Sequence, residues 1–303
     1  MNIEELFKQQ LAAWPQAHDN YAALSAVRTK EMMVGDVRYK VQFNPARITS
    51  SAAKTDAKSI RERPCFLCAK NRPEVQTAIP FDGGRYEILV NPFPIFPRHL
   101  TIPAADHTLQ LINGRMGDML ALAKELAGYT LFYNGPKCGA SAPDHFHFQA
   151  GSRGFMPIEE TWQSYIHTTR MLPFGSFHTL CDAPRNTYVI ETTNAGEGVQ
   201  LFEQLYDSLP RVDGEAEPRM NILCWYEMAK WVLCIFARAK HRPSCYYAEG
   251  AARLLSSPAA VDLGGVFILP REEDFEKIDP ERMRQILDEV CYSTPLKDTE
   301  KRP

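Results

Sequence analysis

Polar and aromatic residues alternate strictly over residues 145–149, which read His-Phe-His-Phe-Gln and follow Asp144. Successive side chains of a β-strand point to opposite faces. The pattern therefore predicts a strand with His145, His147 and Gln149 on one face and the two phenylalanines packing into the core from the other. Because two imidazoles and an amide have no packing reason to share a face, we interpret that face as functional.

The segment before this strand, residues 134–143, is dense in turn-forming and small residues. Such a composition predicts a loop rather than a helix or strand. A loop of small residues brings backbone N–H groups to the start of the strand, and successive N–H groups of this kind can bind an anion.

Alternation and short apolar runs predict further strands along the chain. The predicted strands are 37–43, 85–90, 99–103, 130–133, 186–193, 220–226, 230–237 and 261–269. Helical spacing of apolar residues predicts helices within 2–33, the second of them from 21 to 33, and at 109–129, 199–209 and 279–290. Residues 154–180 form a mixed connector without a clear period.

The order of these elements predicts an α+β fold that contains an internal repeat. The second half loosely echoes the first, and residues 261–269 would take the place of the histidine strand without its histidines. We therefore expect duplicated units with a mostly antiparallel sheet and flanking helices. Residues 1–180 would form the competent half and residues 181–303 a degenerate copy.

Composition narrows the class of protein. A net charge of −3 over 303 residues gives no overall basic field for nucleic acid. We find neither a signal peptide nor an apolar run long enough for a membrane span. The eight cysteines are scattered apart from one close pair, which predicts reduced thiols and a cytoplasmic protein.

Two further segments carry candidate chemistry. Cys65 and Cys68 are two residues apart in a turn-rich loop, a spacing that suits tetrahedral zinc and equally a redox pair. Residues 44–54 are polar and place Arg47 and Lys54 among small residues, which suits either phosphate contact or a solvated loop.

The His-x-His-x-Gln strand and its loop resemble the histidine-triad superfamily in its transferase branch. That branch includes galactose-1-phosphate uridylyltransferase, diadenosine tetraphosphate phosphorylase and the nucleotide-sugar phosphorylases acting on ADP-glucose or GDP-hexoses. Zinc-bearing members are similar in the Cys-x-x-Cys pair and in a histidine ahead of a helix. Residues 257–275 look like the C-terminal half of the GDP-hexose phosphorylases. The segment 47–54 follows the family's arginine-bearing strand only roughly.

The resemblance implies nucleotidyl transfer through a covalent nucleotidyl-histidine at His147. Neutral imidazole is a nucleophile at physiological pH, provided that an acceptor orients its other ring nitrogen. Ser141, Gln149 and backbone N–H groups would stabilise the charge on the phosphoryl oxygens. Hydrolases of the superfamily usually carry a third histidine where this chain has Gln149, and an amide cannot shuttle protons. We therefore expect a long-lived intermediate that awaits a phosphate-bearing acceptor.

The resemblance also implies a structural Zn²⁺ site. Cys65, Cys68, His107 and His145 would complete a Cys₂His₂ set. His99 is a competing fourth ligand, and His107 has an alternative role as a solvent-facing helix cap.

The substrate implied is a nucleotide-sugar or a dinucleoside polyphosphate, with phosphate or a hexose-1-phosphate as acceptor. The base, the sugar and the choice of acceptor stay open, and we allow for a homodimer. The nucleotide- and phosphate-binding residues expected from the resemblance are Asn91, Asn134, Gly139, Arg47, Lys54 and Lys240.

Two other classes of function compete with this interpretation. Gly139 followed by His145 and His147 also fits the start of a cupin metal motif, and hence a metal-dependent oxygenase or isomerase. That motif expects a glutamate shortly after the second histidine, where Gly151 and Ser152 stand instead. The third interpretation is a non-catalytic nucleotide-binding protein.

Overall fold

The structure is a computed structural model that describes residues 1–53 and 55–292. Its strands are β1 (Arg28–Val34), β2 (Val37–Phe43), β3 (Ile79–Phe81), β4 (Tyr86–Val90), β5 (His99–Pro103), β6 (Tyr129–Asn134), β7 (His147–Ser152), β8 (Ile166–Leu172), β9 (Gly175–Leu180), β10 (Tyr188–Thr192), β11 (Met220–Glu227), β12 (Lys230–Ala237) and β13 (Val266–Leu269). Its helices are α1 (Ile3–Ala13), α2 (Pro15–Ala23), α3 (Ile48–Ser51), α4 (Ala57–Glu62), α5 (Met116–Glu125), α6 (Ile158–Thr161), α7 (Ala195–Ser208), α8 (Ser244–Tyr247), α9 (Ala260–Leu263), α10 (Glu272–Lys277) and α11 (Pro280–Val290).

Ten strands form one antiparallel sheet in the order β3-β4-β5-β7-β6-β11-β12-β10-β9-β8. The arrangement is symmetric about its centre, because β3-β4-β5-β7-β6 is repeated from the other end by β8-β9-β10-β12-β11. The central pair joins β6 to β11, with Asn134 opposite Asn221. The predicted α+β class with a mostly antiparallel sheet and flanking helices is confirmed.

Helices α1, α5 and α7 pack on one face of this sheet, and a small sheet packs on the other together with α9, α10 and α11. One core holds Phe146 and Phe148 together with residues of α1, α5 and α7. The second core holds Phe132 together with residues of β2, β13 and α11. Because side chains alternate along a strand, β7 turns Phe148 into the first core and leaves His147 and Gln149 on the opposite face.

The histidine strand is shorter than the alternation predicted. Only residues from His147 onward belong to β7, and His145 lies in the preceding turn, where its N–H donates to Ala142. The two phenylalanines are buried in the core as expected. His145 is therefore free to serve a different site from the one that His147 and Gln149 share.

The second half departs from the predicted correspondence. Residues 261–269 were expected in the place of the histidine strand, but they form α9 and β13, and β13 pairs in parallel with β2 in a separate three-stranded sheet. Gly265, with φ of 106°, separates the helix from the strand. The strand that corresponds to β7 by sheet order is β12. His147 pairs with the last residue of β5, and Trp231 pairs with the last residue of β10.

Three other expectations need correction. The predicted helix at 21–33 ends at Ala23, and the chain then forms β1, because a hairpin through Gly35 pairs it with β2. The helix at 109–129 is only α5, because the positive φ of Gly114 places a turn before it. The connector 154–180 contains the β8–β9 hairpin. None of the helices in the described residues has the length and apolarity needed to cross a bilayer.

Candidate functional site

A cleft of about 640 Å³ opens on the face of the sheet that carries His147. Its walls come from strands β4, β5, β6 and β7, from the segment that contains α3 and α4, and from residues 242–268 of the second half. Seven of the residues predicted for catalysis or for nucleotide and phosphate binding line it: His147, Gln149, Ser141, Asn91, Asn134, Gly139 and Arg47.

His147 is held in one orientation and one tautomer. Its side chain is buried, and its Nδ1 lies 2.9 Å from the carbonyl oxygen of His145. A carbonyl only accepts, so Nδ1 carries the hydrogen and Nε2 keeps its lone pair. Burial lowers the pKa of His147 to about 4, which outweighs the opposing effect of that hydrogen bond. The imidazole is therefore neutral near pH 7 and can act as a nucleophile.

The backbone of His147 is clamped by a fully buried amide that the sequence did not single out. Gln110 accepts the N–H of His147 at 2.7 Å, and its own amide donates to the carbonyls of His147 at 3.0 Å and Asn134 at 3.1 Å. We expected Gln110 to be an ordinary position of a helix at 109–129. In the structure it lies at a bend before α5, behind the site, and this contact is not encoded in any local pattern.

Gln149 is oriented by His99. The Nδ1 of His99 accepts the N–H of Ile95 at 3.3 Å, so its Nε2 donates to Oε1 of Gln149 at 3.1 Å. This leaves the NH₂ of Gln149 for the cleft. Burial and nearby Arg47 lower the pKa of His99 to about 3. His99 is thus a partner of Gln149, and the alternative that made it a zinc ligand is wrong.

The loop before β7 forms the floor of the cleft. Gly139 has φ of 95°, and a Cβ placed there would lie 2.6 Å from the Cβ of Ala259. Glycine is needed at this position, because the loop bends sharply and the second half packs directly against it. The hydroxyl of Ser141 lines the cleft and has no hydrogen-bond partner within the described part of the chain.

The two asparagines of the cleft use much of their hydrogen-bonding capacity within the protein. Oδ1 of Asn134 accepts from Asn221 at 2.8 Å and from the N–H of Ala260 at 2.9 Å. Asn91 donates to Thr101 at 2.9 Å and accepts the N–H of Phe93 at 2.9 Å. Asn134 therefore ties the first half to the second, while Asn91 orders the proline-rich turn after β4.

Three arginines line the cleft. Arg63 forms an ion pair with Asp144 at 2.5 Å, and Arg47 donates to the carbonyl of Phe93 at 2.6 Å. Burial lowers the pKa of Arg47 to about 10, while nearby Asp262 raises it. Arg242, from the second half, is the third. The sequence predicts that the basic cluster of Arg238, Lys240, His241 and Arg242 either faces the sugar phosphate or is solvated, but it does not predict the positions of Arg63 or Asp262.

The two predicted lysines do not contribute in the same way. Lys240 pairs with Glu289 at 2.7 Å and with Ser244 at 3.0 Å, and it does not line the cleft. Arg242 does line the cleft, because the chain turns between Lys240 and Arg242. Lys54 lies outside the described residues, so its place in the site stays a prediction.

A second cluster lies beside the cleft and joins the four predicted metal ligands. One ligand atom from each of Cys65, Cys68, His107 and His145 lies within 4.8 Å of all the others. Nδ1 of His145 lies 3.3 Å from the Cys65 sulfur, and Nδ1 of His107 lies 3.2 Å from the Cys68 sulfur. Two thiolates and two imidazoles form a donor set for a metal ion.

The surroundings of the cluster favour the metal-binding forms of its ligands. Nε2 of His145 donates to the carbonyl of Ala104 at 2.8 Å, which directs the lone pair of Nδ1 toward the sulfurs. Burial opposes ionisation of Cys65, but its contact with His145 and hydrogen bonds from the N–H groups of Leu67 and Cys68 lower its pKa to about 6. The cluster therefore fits a divalent metal.

The same geometry excludes the cupin alternative. A cupin site would need His145 and His147 on one metal, but His145 faces the thiols, whereas His147 Nδ1 is bonded to a backbone carbonyl. A cupin also needs strands closed into a barrel, whereas the ten strands here form an open sheet with a symmetric strand order.

Solved structures of a known protein share this fold. The sequence model of a family described as "Domain of unknown function (DUF4922)" matches residues 6–152. No curated protein matches the sequence. The structure is similar to that of yeast Ap4A phosphorylase Apa2 in complex with Ap4A, with a TM-score of 0.63, 17% identity and coverage of 92% of this chain and 97% of that one.

Two further structures of the same phosphorylase give the same result. The complex with AMP matches with a TM-score of 0.62, 17% identity and coverage of 96% and 99%. Another crystal structure of Apa2 matches with a TM-score of 0.54, 16% identity and coverage of 94% and 96%. The chain therefore shares the α+β fold of this phosphorylase over nearly its whole length.

Proposed function

We propose that the protein is a nucleotidyltransferase that acts through a covalent nucleotidyl-histidine at His147. The observation that carries the proposal is the state of this side chain: a buried, neutral imidazole whose Nδ1–H is bonded to a carbonyl and whose Nε2 is available to a cleft. The fold shared with Ap4A phosphorylase supports the same assignment.

In the first step the lone pair of His147 Nε2 attacks the α-phosphorus of the donor. A P–N bond forms, the P–O bond to the leaving group breaks, and the leaving group departs as a phosphate oxyanion. The NH₂ of Gln149, the hydroxyl of Ser141 and the loop N–H groups stabilise the charge on the phosphoryl oxygens. In the second step an oxygen of the acceptor phosphate attacks the same phosphorus and the electron pair returns to Nε2.

We propose a dinucleoside polyphosphate or a nucleoside diphosphate sugar as donor, and phosphate or a hexose-1-phosphate as acceptor. With a dinucleoside tetraphosphate and phosphate, the products would be a nucleoside triphosphate and a nucleoside diphosphate. The cleft, lined by arginines from both halves, suits a ligand with several phosphates.

We also propose that Cys65, Cys68, His107 and His145 hold a structural Zn²⁺. The metal would supply a cross-link between the cysteine loop and the turn that leads into β7. Because His145 is one of the four ligands, its carbonyl would also be held in place. That carbonyl orients the imidazole of His147, so the cross-link would help to fix the nucleophile.

The symmetric sheet supports a duplication with a degenerate second copy. Trp231 stands at the ladder position that corresponds to His147, so the second half lacks the nucleophile. We place the boundary between β7 and β8, before residue 180, because β8 and β9 pair with second-half strands. None of the eight cysteines, all of which lie in the described residues, forms a disulfide, and we propose a reducing compartment such as the cytoplasm.

The test is a search for the intermediate. The protein is incubated at neutral pH with diadenosine tetraphosphate, ADP-glucose or a GDP-hexose, without acceptor, and intact-protein mass spectrometry should show one added nucleoside monophosphate. His147→Gly should lose the adduct and regain some transfer with added imidazole, whereas His167→Gly, at an exposed histidine, should behave as wild type. An adduct that persists in His147→Gly would move the nucleophile elsewhere. Nucleotide binding without any adduct would favour the non-catalytic interpretation.

A further inference from the structure

Arg238 is a fully buried cation in the second half, behind the loop that precedes β7. All five of its N–H donors are used: Nε bonds to the carbonyl of Val290, Nη1 to Oδ1 of Asn221 and the carbonyl of Pro258, and Nη2 to the carbonyls of Lys240 and His241. Every acceptor is neutral. Within the described residues no carboxylate oxygen lies within 4.0 Å of this guanidinium.

These bonds fix the second-half wall of the cleft. Arg238 holds the chain at Lys240 and His241, which leads directly into Arg242, and it holds Pro258 next to Ala259. Through Asn221, which donates to the carbonyl of Cys138 at 2.7 Å, it also fixes the loop. One buried side chain therefore holds all three segments that meet where Gly139 packs on Ala259.

Arg242 is the side chain that this arrangement presents to the cleft. It donates from Nε to the hydroxyl of Ser257 at 3.1 Å and from Nη2 to the carbonyl of Ala53 at 3.0 Å, with its guanidinium carbon 4.2 Å from the ring centroid of Tyr246. These contacts leave the Nη1 hydrogens free. Unlike Arg63, Arg242 has no carboxylate within 4.0 Å in the part of the chain that the structure describes.

The protein compensates the positive charge of this wall only in part: Asp262 lines the same cleft and interacts electrostatically with Arg238, but it forms no ion pair with Arg238 or Arg242 within the described residues. His241 lies among cations from several elements. Its pKa is lowered to about 3, first by burial and then by the positive charges of Arg242, Arg238, Lys137 and Arg219. Glu215 balances Arg219, at 2.6 Å, but Arg238 and Arg242 face only neutral acceptors. Arg242 lines the cleft and hydrogen-bonds only to neutral acceptors within the described residues, so its guanidinium can pair with an anionic ligand there.

We propose that Arg242, together with Ser257 and the loop at Gly139, forms the subsite for the phosphate group that is not transferred to His147. This deepens the proposed function and rests on it. The subsite would bind the leaving phosphate in the first step and the acceptor phosphate in the second. Arg242 contacts the anion, and Arg238 is a positioning residue that holds the wall in place.

In the second step the bound phosphate supplies the attacking oxygen. A P–O bond forms to the nucleotidyl phosphorus, the P–N bond breaks, and the electron pair returns to Nε2 of His147. The product is a nucleoside diphosphate, and no further reactant is needed. Arg242 neutralises the acceptor so that two anions can approach each other.

The first arm of the test measures binding without catalysis. Isothermal titration of inorganic tripolyphosphate is compared for wild type, Arg242→Ala, Arg242→Lys and the control Arg170→Ala, which removes an exposed arginine from β8. Loss of a charged hydrogen-bond donor should weaken binding by roughly 10- to 100-fold in Arg242→Ala. The affinity of Arg242→Lys for tripolyphosphate should lie between those of wild type and Arg242→Ala, because lysine keeps the charge but lacks the planar guanidinium. The affinity of Arg170→Ala should match that of wild type.

The second arm separates the two half-reactions. Arg242→Ala should still form the nucleotidyl-His147 adduct from diadenosine tetraphosphate, but discharge by orthophosphate should need roughly 10-fold more phosphate for half-maximal rate. Equal tripolyphosphate binding in wild type and Arg242→Ala, or no binding in wild type, would overturn the subsite. Discharge unchanged at every phosphate concentration would overturn it as well. Arg242-dependent binding with no adduct from any donor would instead defeat the proposed function and leave the anion site standing.

Discussion

Nε2 of His99 lies 3.1 Å from Oε1 of Gln149, and this contact decides which end of the amide meets the substrate. His99 must donate there, because its Nδ1 accepts the N–H of Ile95. Gln149 consequently offers two N–H donors and no acceptor on that side. A phosphoryl group, which carries only acceptor oxygens, matches this orientation.

We predict that removing His99 slows chemistry by disordering Gln149. His99→Leu should lower the rate of nucleotidyl transfer by roughly 10-fold, less than the roughly 10²-fold expected for Gln149→Ala or Ser141→Ala, which remove donors outright. The two effects should not add: the double variant His99→Leu/Gln149→Ala should be no slower than Gln149→Ala alone. Single-turnover kinetics measure each rate.

Additive losses in that double-mutant cycle would show that His99 acts independently of Gln149. A change in apparent donor affinity with turnover intact, in Ser141→Ala or Gln149→Ala, would contradict their role as transition-state donors.

A second prediction concerns Gln110, which bonds both backbone groups of His147. Gln110→Ala frees the start of β7, and a small misplacement of a nucleophile can cost up to roughly 10²-fold in rate. We expect kcat to fall by roughly 10- to 10²-fold with little change in KM. Gln10→Ala is the matched control, since Gln10 is equally buried and bonds to Val75 and Thr77, neither of which lines the cleft.

Gln10→Ala should therefore lose stability without losing turnover. If both variants lost activity only in proportion to their stability, Gln110 would be a structural residue with no specific effect on His147.

The parts of the site that the sequence could reveal are those that a local pattern encodes. The period of two singled out His147 and Gln149, and Cys-x-x-Cys spacing with the family resemblance led to all four residues of the metal cluster. The contacts of Gln110 with His147, His99 with Gln149 and Arg242 with Ala53 join residues 37, 50 and 189 positions apart, and no spacing rule marks such contacts. Contacts between distant residues also limit the prediction of the fold. Residues 261–269 resemble one apolar strand in sequence, but only the last four of them pair with β2 and form β13.

The third prediction concerns the metal. Purified protein should contain about one zinc per chain, and Cys65→Ser should lose metal and stability together, because the one remaining thiolate and two imidazoles would then be left without a metal in a half-buried site. We expect a loss of at least about 3 kcal/mol in the free energy of unfolding. Cys181→Ser, at an exposed and isolated cysteine, is the control.

Metal analysis and chemical denaturation measure these two quantities. Metal-free protein with both thiols of the pair freely reactive would contradict the site. Full metal content in Cys65→Ser would show that the ion is held by other residues.

The buried carboxyl of Glu217 lies in a chain of hydrogen bonds behind the site. It accepts the N–H of Ile112 at 2.8 Å and contacts the hydroxyl of Tyr133, which also lies 3.0 Å from the carbonyl of Gln110. The hydroxyl has a single proton for two acceptors. A protonated Glu217 resolves the conflict, because it can donate to Tyr133 while Tyr133 donates to Gln110. Burial raises the pKa of Glu217 to about 7, in agreement with this arrangement.

We therefore predict that Glu217 makes stability depend on pH between its ordinary pKa of 4.5 and about 7. In this window the folded protein holds a proton that the unfolded chain releases, so the free energy of unfolding falls as pH rises. The contribution is fully present below pH 4.5 and lost above pH 7, a difference on the order of 3 kcal/mol. Urea denaturation at pH 5, 6, 7 and 8 should show this decline in wild type relative to Glu217→Gln, which keeps the shape but does not titrate. Other titrating groups, including Asp262 and the metal ligands, are common to both proteins and cancel in the difference. Parallel curves for the two proteins would show that Glu217 stays ionised in the fold, and that the hydrogen-bond chain to Gln110 runs from Tyr133 without it.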